Sequence, residues 1–555
     1  MVVFFEWLDA HPALYWTAAW GSFALVLFTA CAARPSPPGI PARKWIAHPL
    51  LFAGLVCLTL CAFRWPSWFV PWELNPDESQ IIAGAITLRE NPVFWKSVDG
   101  TTHGPLNEYI LTIASVFGLP LSYSGVRGFA SLLIGCILLA VWGSLRRLLP
   151  EHLARLGIVP GLAFWSFSWI GDFLHFSSEL VAILLLALAL WSACVAFTSA
   201  QARPGLLGLT GALLTAVPLA KLQAAPLALF MGATSLCLLV WPRRTDWRRN
   251  VTGLLGGVIL VAVVLLVYLA VFGLLAQFWY SYVVSNLDYA EARNHRLAEM
   301  PNHFLAFMTT GQSFAWFFHG CVAFSLLQAQ QTWRTASPQL RAALVAGWLG
   351  VAVAYFCVLA PGRQVAHYLQ FLVVPLAFLS GLHLWAARPA DGSHPGPPRL
   401  ALLLFLVLAL APQGVNRFLA VQAQLGHLAE FRAKPMSDAG RFLSERQHSG
   451  DLLTVWGWNA QLHIETQMPQ GTREAHSAFQ IMRGPLRDFY RGRYLRDMTQ
   501  NRPKWFVDAV GPRRFAFEYR DIDGHETFPE LGQLIRDQYV FLAELESMRI
   551  YRRVR

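Results

Sequence analysis

Carboxylates, imidazoles and single cations stand out in this chain because they interrupt long apolar runs. Asp77 and Glu78 adjoin one another in Trp72-Glu73-Leu74-Asn75-Pro76-Asp77-Glu78-Ser79-Gln80. Asn75-Pro76 suits a turn entering a helix, which places both carboxylates in the first turn, where backbone N–H groups favour negative charge. Either Asp77 caps that helix and Glu78 only favours its first turn, or the pair serves chemistry. A second polar turn follows, from Asp99 through His103 to Tyr109, and makes the loop more than a connection. Asp172, His175 and Glu179 are spaced three and four apart, one face on a helical reading. Such a set suits sugar-hydroxyl recognition, a structural polar cluster or a divalent cation. Lys221 lies in the apolar stretch Leu219-Ala220-Lys221-Leu222 and either snorkels to an interface or binds phosphate. Arg363 suits bidentate phosphate contact, and His367 is either a ligand or a satisfied interfacial histidine.

The elements that carry these residues are membrane helices. Of 555 residues, 55% are apolar and 14% charged, against about 25% charged in soluble proteins. At roughly 20 residues per crossing, the apolar runs suffice for about twelve helices. We place them at 13–33, 46–64, 126–145, 157–173, 178–199, 205–220, 222–241, 250–272, 304–326, 342–360, 368–387 and 399–418. The net charge of +11 comes mostly from short turns, so it reports topology and calls for no nucleic-acid partner. Alternate loops between Arg34 and Arg399 hold 15 Lys and Arg, the opposite and longer loops 8. The richer side faces the cytoplasm, which puts the first large loop, 65–125, outside together with everything after the last helix. Ile81, Ile82, Ala85, Ile86 and Leu88 make one apolar face, predicting an interfacial helix in that loop. All eight cysteines fall in apolar segments with no CxxC spacing, which excludes a disulfide framework or a cysteine zinc site.

The domain boundary falls at 428/429. Beyond it, helices are expected at 438–446, 486–498 and 531–538, with strands at 452–456, 505–510, 539–542 and 548–551. The alternation implies a small α/β domain. It holds no glycine-rich phosphate loop after a strand.

In order along one face, Asp77-Glu78, Pro105-Leu106, Ser178-Glu179-Leu180, Leu219-Ala220-Lys221 and His367-Tyr368-Leu369 leading to Val374-Pro375-Leu376 resemble the GT-C superfamily of membrane glycosyltransferases. The nearest branches are bacterial aminoarabinose transferases and protein O-mannosyltransferases. The resemblance spans roughly 70–385 and implies a mainly α, GT-C-like membrane protein of the bacterial inner membrane, with its active site and C-terminal domain periplasmic. It implies sugar transfer from a polyprenyl-phosphate-linked donor to a lipid, glycan or protein acceptor. Asp77 then takes the role of base, with Glu78 as its neighbour in catalysis. Lys221, Arg363 and His367 bind the donor, and His103, Asp172, His175 and Glu179 the substrates. No cofactor follows with certainty, a divalent cation being the alternative. The sequence departs from the aminoarabinose branch at Gln80, where an Arg follows Asp-Glu, and at His103-Gly104 before Pro105. Two other classes remain open, a secondary transporter and a non-catalytic assembly protein; transporters carry paired repeats and ionisable groups near the midplane.

Overall fold

The computed structural model describes residues 2–33, 46, 48–240, 246–291, 302, 312–387, 398–423, 425–426, 430 and 436–554. The basic turns at 34–45 and 241–245, the start of the helix expected at 304–326 and the turn at 388–397 lie outside them. The chain forms two compact units. One comprises Met1–Trp68, Arg127–Leu265 and Arg293–Ala429; the other comprises Phe69–Val126, Leu266–Ala292 and Glu430–Arg555. The first large loop thus groups with the tail in one unit.

The first unit is helical. Among the described residues, eight helices are long and apolar enough to cross a membrane: Pro12–Ala32, Pro49–Trp68, Tyr123–Leu145, Glu179–Thr198, Leu222–Val240, Trp247–Val271, Pro338–Leu359 and Ala366–Ala386. The protein is thus a multi-pass membrane protein. Pro204–Ala220, Gln312–Thr335 and Pro398–Gln422 occupy three more of the expected positions. The helix expected at 157–173 is instead broken: Glu151–Gly157 and Val159–Phe167 are short, and Gly171–Leu174 is a single turn. A break frees backbone carbonyls, which must be satisfied inside the protein when no water is at hand. Arg64 satisfies them. Its buried guanidinium donates to Trp165 O (3.1 Å), Phe173 O (3.0 Å) and Leu174 O (3.0 Å), and its Nε to Ser131 Oγ (3.2 Å).

The second unit is built on a four-stranded sheet, β1 (Leu453–Trp456), β2 (Trp505–Asp508), β3 (Tyr539–Leu545) and β4 (Met548–Arg553), in the order β1-β2-β4-β3. β1 and β2 are parallel, and the other pairs antiparallel. Period-two alternation buries Leu453, Val455, Trp505 and Val507 against one layer and Trp456 and Phe506 against the other. Both faces of the sheet are therefore covered. Glu546 and Ser547, both at positive φ, form the two-residue turn between β3 and β4 that matches the twist of a hairpin. The helices Asp438–Ser444, Arg487–Asn501 and Pro529–Gln538 stand where periodicity puts them. Gln461–Thr466 and Ala478–Ile481 are too short to show a period.

The helix expected along the membrane interface, Pro76–Glu90, is buried from Glu78 to Leu88 on every face. It packs on Leu106–Val116 and on Gln461–Thr466 of the tail. At Gly84 a methyl group would sit 2.8 Å from Glu108 Cγ, so only glycine admits this approach. The exposed apolar residues lie instead on the neighbouring helix, at Ile113 and Val116, and on Phe117 beyond it.

Arg493, on Arg487–Asn501, ties the three stretches of this unit together. Its guanidinium meets Asp99 Oδ2 at 2.5 Å, Glu474 Oε1 and Ser281 Oγ, all buried. Arg473 pairs with Asp497 at 3.2 Å, and its carbonyl accepts from the Asp99 amide at 2.8 Å. Removing one partner of such a set strands buried charge. Arg493→Met should therefore destabilise this unit by about 3–5 kcal/mol, read as a lower thermal midpoint and faster proteolysis of the tail, whereas the surface change Arg441→Met should move neither.

Candidate active site

Asn75 is the residue that caps the helix Pro76–Glu90: its Oδ1 accepts the Asp77 amide at 2.9 Å. The capping role open to Asp77 in the sequence is thus filled by Asn75. Glu78 is buried and turns back toward the Leu74 amide, 3.5 Å away, so it stabilises the helix start. Glu73 Oε2 accepts from Ser79 Oγ at 2.6 Å, and Ser79 meets Tyr123 Oη at 2.7 Å, fixing the turn from both sides. Of the two adjacent carboxylates, only Asp77 retains solvent access.

His103 is paired within its own loop. Its Nε2 lies 2.5 Å from Glu108 Oε1, and both side chains are buried. Burial pushes the Glu108 carboxyl up, against the pull of His103. One turn along the helix from Asp77, Gln80 Nε2 donates to Gly100 O (3.1 Å), while its Oε1 faces His476 Nε2 of the tail at 3.2 Å. His476 Nδ1 accepts the Ala478 amide at 3.3 Å, which assigns the ring proton to Nε2 and leaves the imidazole neutral. Burial pushes its pKa down to about 4, against the attraction of the Asp77 carboxylate.

A second polar cluster forms in the helical unit. Asp172, His175 and Glu179 do not share a helical face: His175 is extended, and Glu179 opens the next helix. Asp172 and Glu179 converge instead on His367, with Nδ1 3.6 Å from Asp172 Oδ2 and Nε2 3.8 Å from Glu179 Oε2. The His175 ring stands edge-on to that of His367 at 5.4 Å. Lys221 does not snorkel. It is buried, 3.1 Å from Glu179 Oε1 and 2.7 Å from Ser178 Oγ, with its ammonium 5.5 Å from the centre of the Tyr368 ring. Gln370 fastens the pieces together, donating to Ser177 Oγ (3.1 Å) and accepting from Trp165 Nε1 (3.2 Å). Arg363 lies half-buried in the turn that leads to His367. Asp172, 23% exposed, is the member of this cluster that reaches solvent, while Glu179 is enclosed.

Of the residues expected at the site, Asp172, Glu179, Lys221 and His367 lie together, while the sequence did not single out Gln370 and His476, which fasten their surroundings. Their roles depend on partners up to 396 residues away in the chain, and no short-range pattern encodes that. Among the described residues, Asp508, His525 and Glu526 group closely enough to suit a metal, and they are already paired: His525 Nδ1 sits 2.6 Å from Asp508 Oδ2, and Arg520 Nη1 is 3.6 Å from the same oxygen.

No family profile matches the sequence, and no curated protein matches it. Among solved structures, the fold is similar to that of ArnT from Cupriavidus metallidurans bound to undecaprenyl phosphate. The TM-score is 0.55 at 12% identity, over 93% of this chain and 99% of that one. ArnT in the apo state gives 0.52 at 12% identity, over 92% and 98%. At 12% identity the likeness is one of fold.

The buried neutral His476 makes stability depend on pH. An unfolded histidine takes up its proton near 6.5, the folded one only near 4. Between these values the unfolded chain binds more protons, so stability falls as pH falls. His476→Gln should flatten that loss, by up to about 3 kcal/mol across the window, in unfolding curves measured from pH 7 to pH 4. Parallel curves for parent and variant would mean that His476 titrates normally.

Proposed function

We propose that this protein is an inverting glycosyltransferase that moves a sugar from a polyprenyl-phosphate-linked donor to a lipid, glycan or protein acceptor. The observation that carries this reading is the likeness, over 93% of the chain, to a fold crystallised with undecaprenyl phosphate. Asp77 is the general base. The acceptor hydroxyl oxygen attacks the anomeric carbon from the face opposite the phosphate, and the bond from that carbon to the phosphate oxygen breaks. The bonding electrons leave with the polyprenyl phosphate, the hydroxyl proton passes to Asp77, and the anomeric centre inverts. The partial solvent exposure of Asp77, with Asn75 doing the capping, supports this assignment over Glu78, which is buried in the turn. Asp99 and His103 belong to the scaffold of the same loop.

The leaving phosphate needs cations. We assign that task to Lys221, Arg363 and His367, with Glu179 fixing Lys221 and His367 and with Asp172 meeting sugar hydroxyls. His175 supports His367 from the side. The excess of Lys and Arg in alternate loops orients the chain with the unit containing Asp77 on the periplasmic side of the inner membrane.

Asp77→Asn keeps the size of the side chain and leaves the Asn75 cap in place. It should cost about 10² to 10⁴ in transfer rate while undecaprenyl phosphate binds as before. Glu78→Gln is the internal comparison and should lose mainly stability. Near-normal transfer by folded Asp77→Asn would remove Asp77 as the base.

The donor assignment predicts that Arg363→Ala weakens undecaprenyl phosphate affinity about tenfold, the worth of one charge-assisted contact. Lys221→Ala should be made together with Glu179→Gln, because the single change strands a buried carboxylate. If both variants bind like the parent in a direct titration, the phosphate is held elsewhere.

A further inference from the structure

The parallel pair β1 and β2 ends at Trp456 and Asp508, and the loop beyond Trp456 brings Ala460 against Ala83 on the helix of Asp77. In sheets of this kind, ligands bind beyond the carboxyl ends of the parallel strands. Gly457, at φ +102, makes the first turn; its amide donates to Ser477 Oγ at 2.6 Å and its carbonyl accepts the Ser477 amide at 2.9 Å. That clamp sets Trp458 with its indole stacked on the His476 ring, centroids 4.6 Å apart and planes 23° from parallel. His476 in turn contacts Gln80, one helical turn from Asp77.

The second loop, after β2, brings Phe515 edge-on to Trp458 at 5.1 Å and 89°. Phe515 is 53% exposed, a large apolar ring left in water. Two residues flanking it, Arg513 (φ +64) and Ala516 (φ +65), hold the left-handed backbone that only glycine adopts without cost. The strain is maintained by closure of the loop, Gly511 N to Phe517 O at 3.2 Å, and by Arg514 reaching Glu546 O in the β3–β4 turn. Strained backbone of this kind clusters at ligand-binding and active sites. Trp458 Nε1 adds an indole donor with no hydrogen-bond partner among the described residues.

We infer that Trp458 and Phe515 form an acceptor subsite and that the acceptor presents a sugar ring to it. Two aromatic rings set near a right angle offer a face and an edge to the C–H side of a pyranose, and the indole N–H offers a donor to a hydroxyl. The His476–Gln80 contact places this platform alongside Asp77, where a hydroxyl must lose its proton. The inference rests on the reading of Asp77 as the base and narrows the acceptor to a glycan or a glycolipid.

The test is saturation-transfer NMR on the full chain in a detergent that carries no sugar. The probes are the methyl α-glycosides of glucose, galactose and mannose. Undecaprenyl phosphate affinity is measured on the same samples. At least one glycoside should receive saturation at its ring C–H protons, and Phe515→Ala, at an exposed site, should reduce it about fivefold with lipid-phosphate affinity unchanged. Trp458→Ala should abolish it. Lys221→Ala with Glu179→Gln should leave it intact. The inference fails if a parent protein that binds undecaprenyl phosphate gives no saturation transfer to any of the three, or if Phe515→Ala and Trp458→Ala both match the parent. A parent that binds a glycoside but not undecaprenyl phosphate would keep this subsite and overturn the donor in the transferase reading instead.

Discussion

A single buried guanidinium, that of Arg493, holds the sheet-bearing unit in its working form. Asp99 comes from the first large loop, Ser281 from the segment Leu266–Ala292 and Glu474 from the tail, and all three meet this one side chain. Taking such charges out of water is expensive, and only mutual pairing repays it. Burial pushes Glu474 up while Arg493 pulls it down, so the carboxylates and the guanidinium each make the other tolerable. A set of this kind contributes little net stability compared with an apolar core of equal size. What it supplies is uniqueness: the loop has one register against the tail because any other leaves charge unpaired. The helix start at Asp77 inherits its position from that register through Gln80, Gly100 and His476.

The helical unit solves a related problem with the same currency of paired polar groups. A segment expected to cross as one helix breaks after Phe167, and the carbonyls released by the break are taken up by Arg64. The break lets Asp172 and Glu179, seven residues apart, approach one imidazole from two sides. Lys221 closes the set by pairing with Glu179 at the point where Pro204–Ala220 gives way to the next helix. Ionisable groups are costly among apolar helices and persist where they pair. The cluster therefore combines cations suited to a phosphate with a carboxylate, Asp172, at its solvent edge.

One unit holds a carboxylate at a capped helix start, and the other holds a cluster of paired charges. At the helix start the cap is supplied by Asn75, whose Oδ1 accepts the amide of Asp77. The tail is also more than an appendage, since it buries the helix behind Asp77 and brings Trp458 and His476 to its side. The same contacts explain why the interfacial expectation for Pro76–Glu90 fails. Its apolar residues lack a single stripe once Ala83, Gly84 and Thr87 are counted, and the opposite face meets the tail.

The sequence alone determined what local rules control. Apolar runs and basic turns placed the long helices, and period-two and 3.6-residue patterns located the strands and longer helices of the tail within a few residues. Asn75-Pro76 marked the start of a helix, and the charged residues in apolar surroundings marked both polar clusters. Pairing lay beyond those rules. That Glu179 neutralises Lys221, that Asp172 and Glu179 share His367 and not His175, that Glu108 occupies His103, and that Arg493 joins three distant stretches depend on contacts between residues 5 to 394 positions apart. Side-chain charge and helix propensity are carried by each residue and its near neighbours, so they can be read along the chain. Which charge answers which, and whether a helix face meets lipid or protein, is settled only when tertiary packing removes water and makes every unpaired polar group costly.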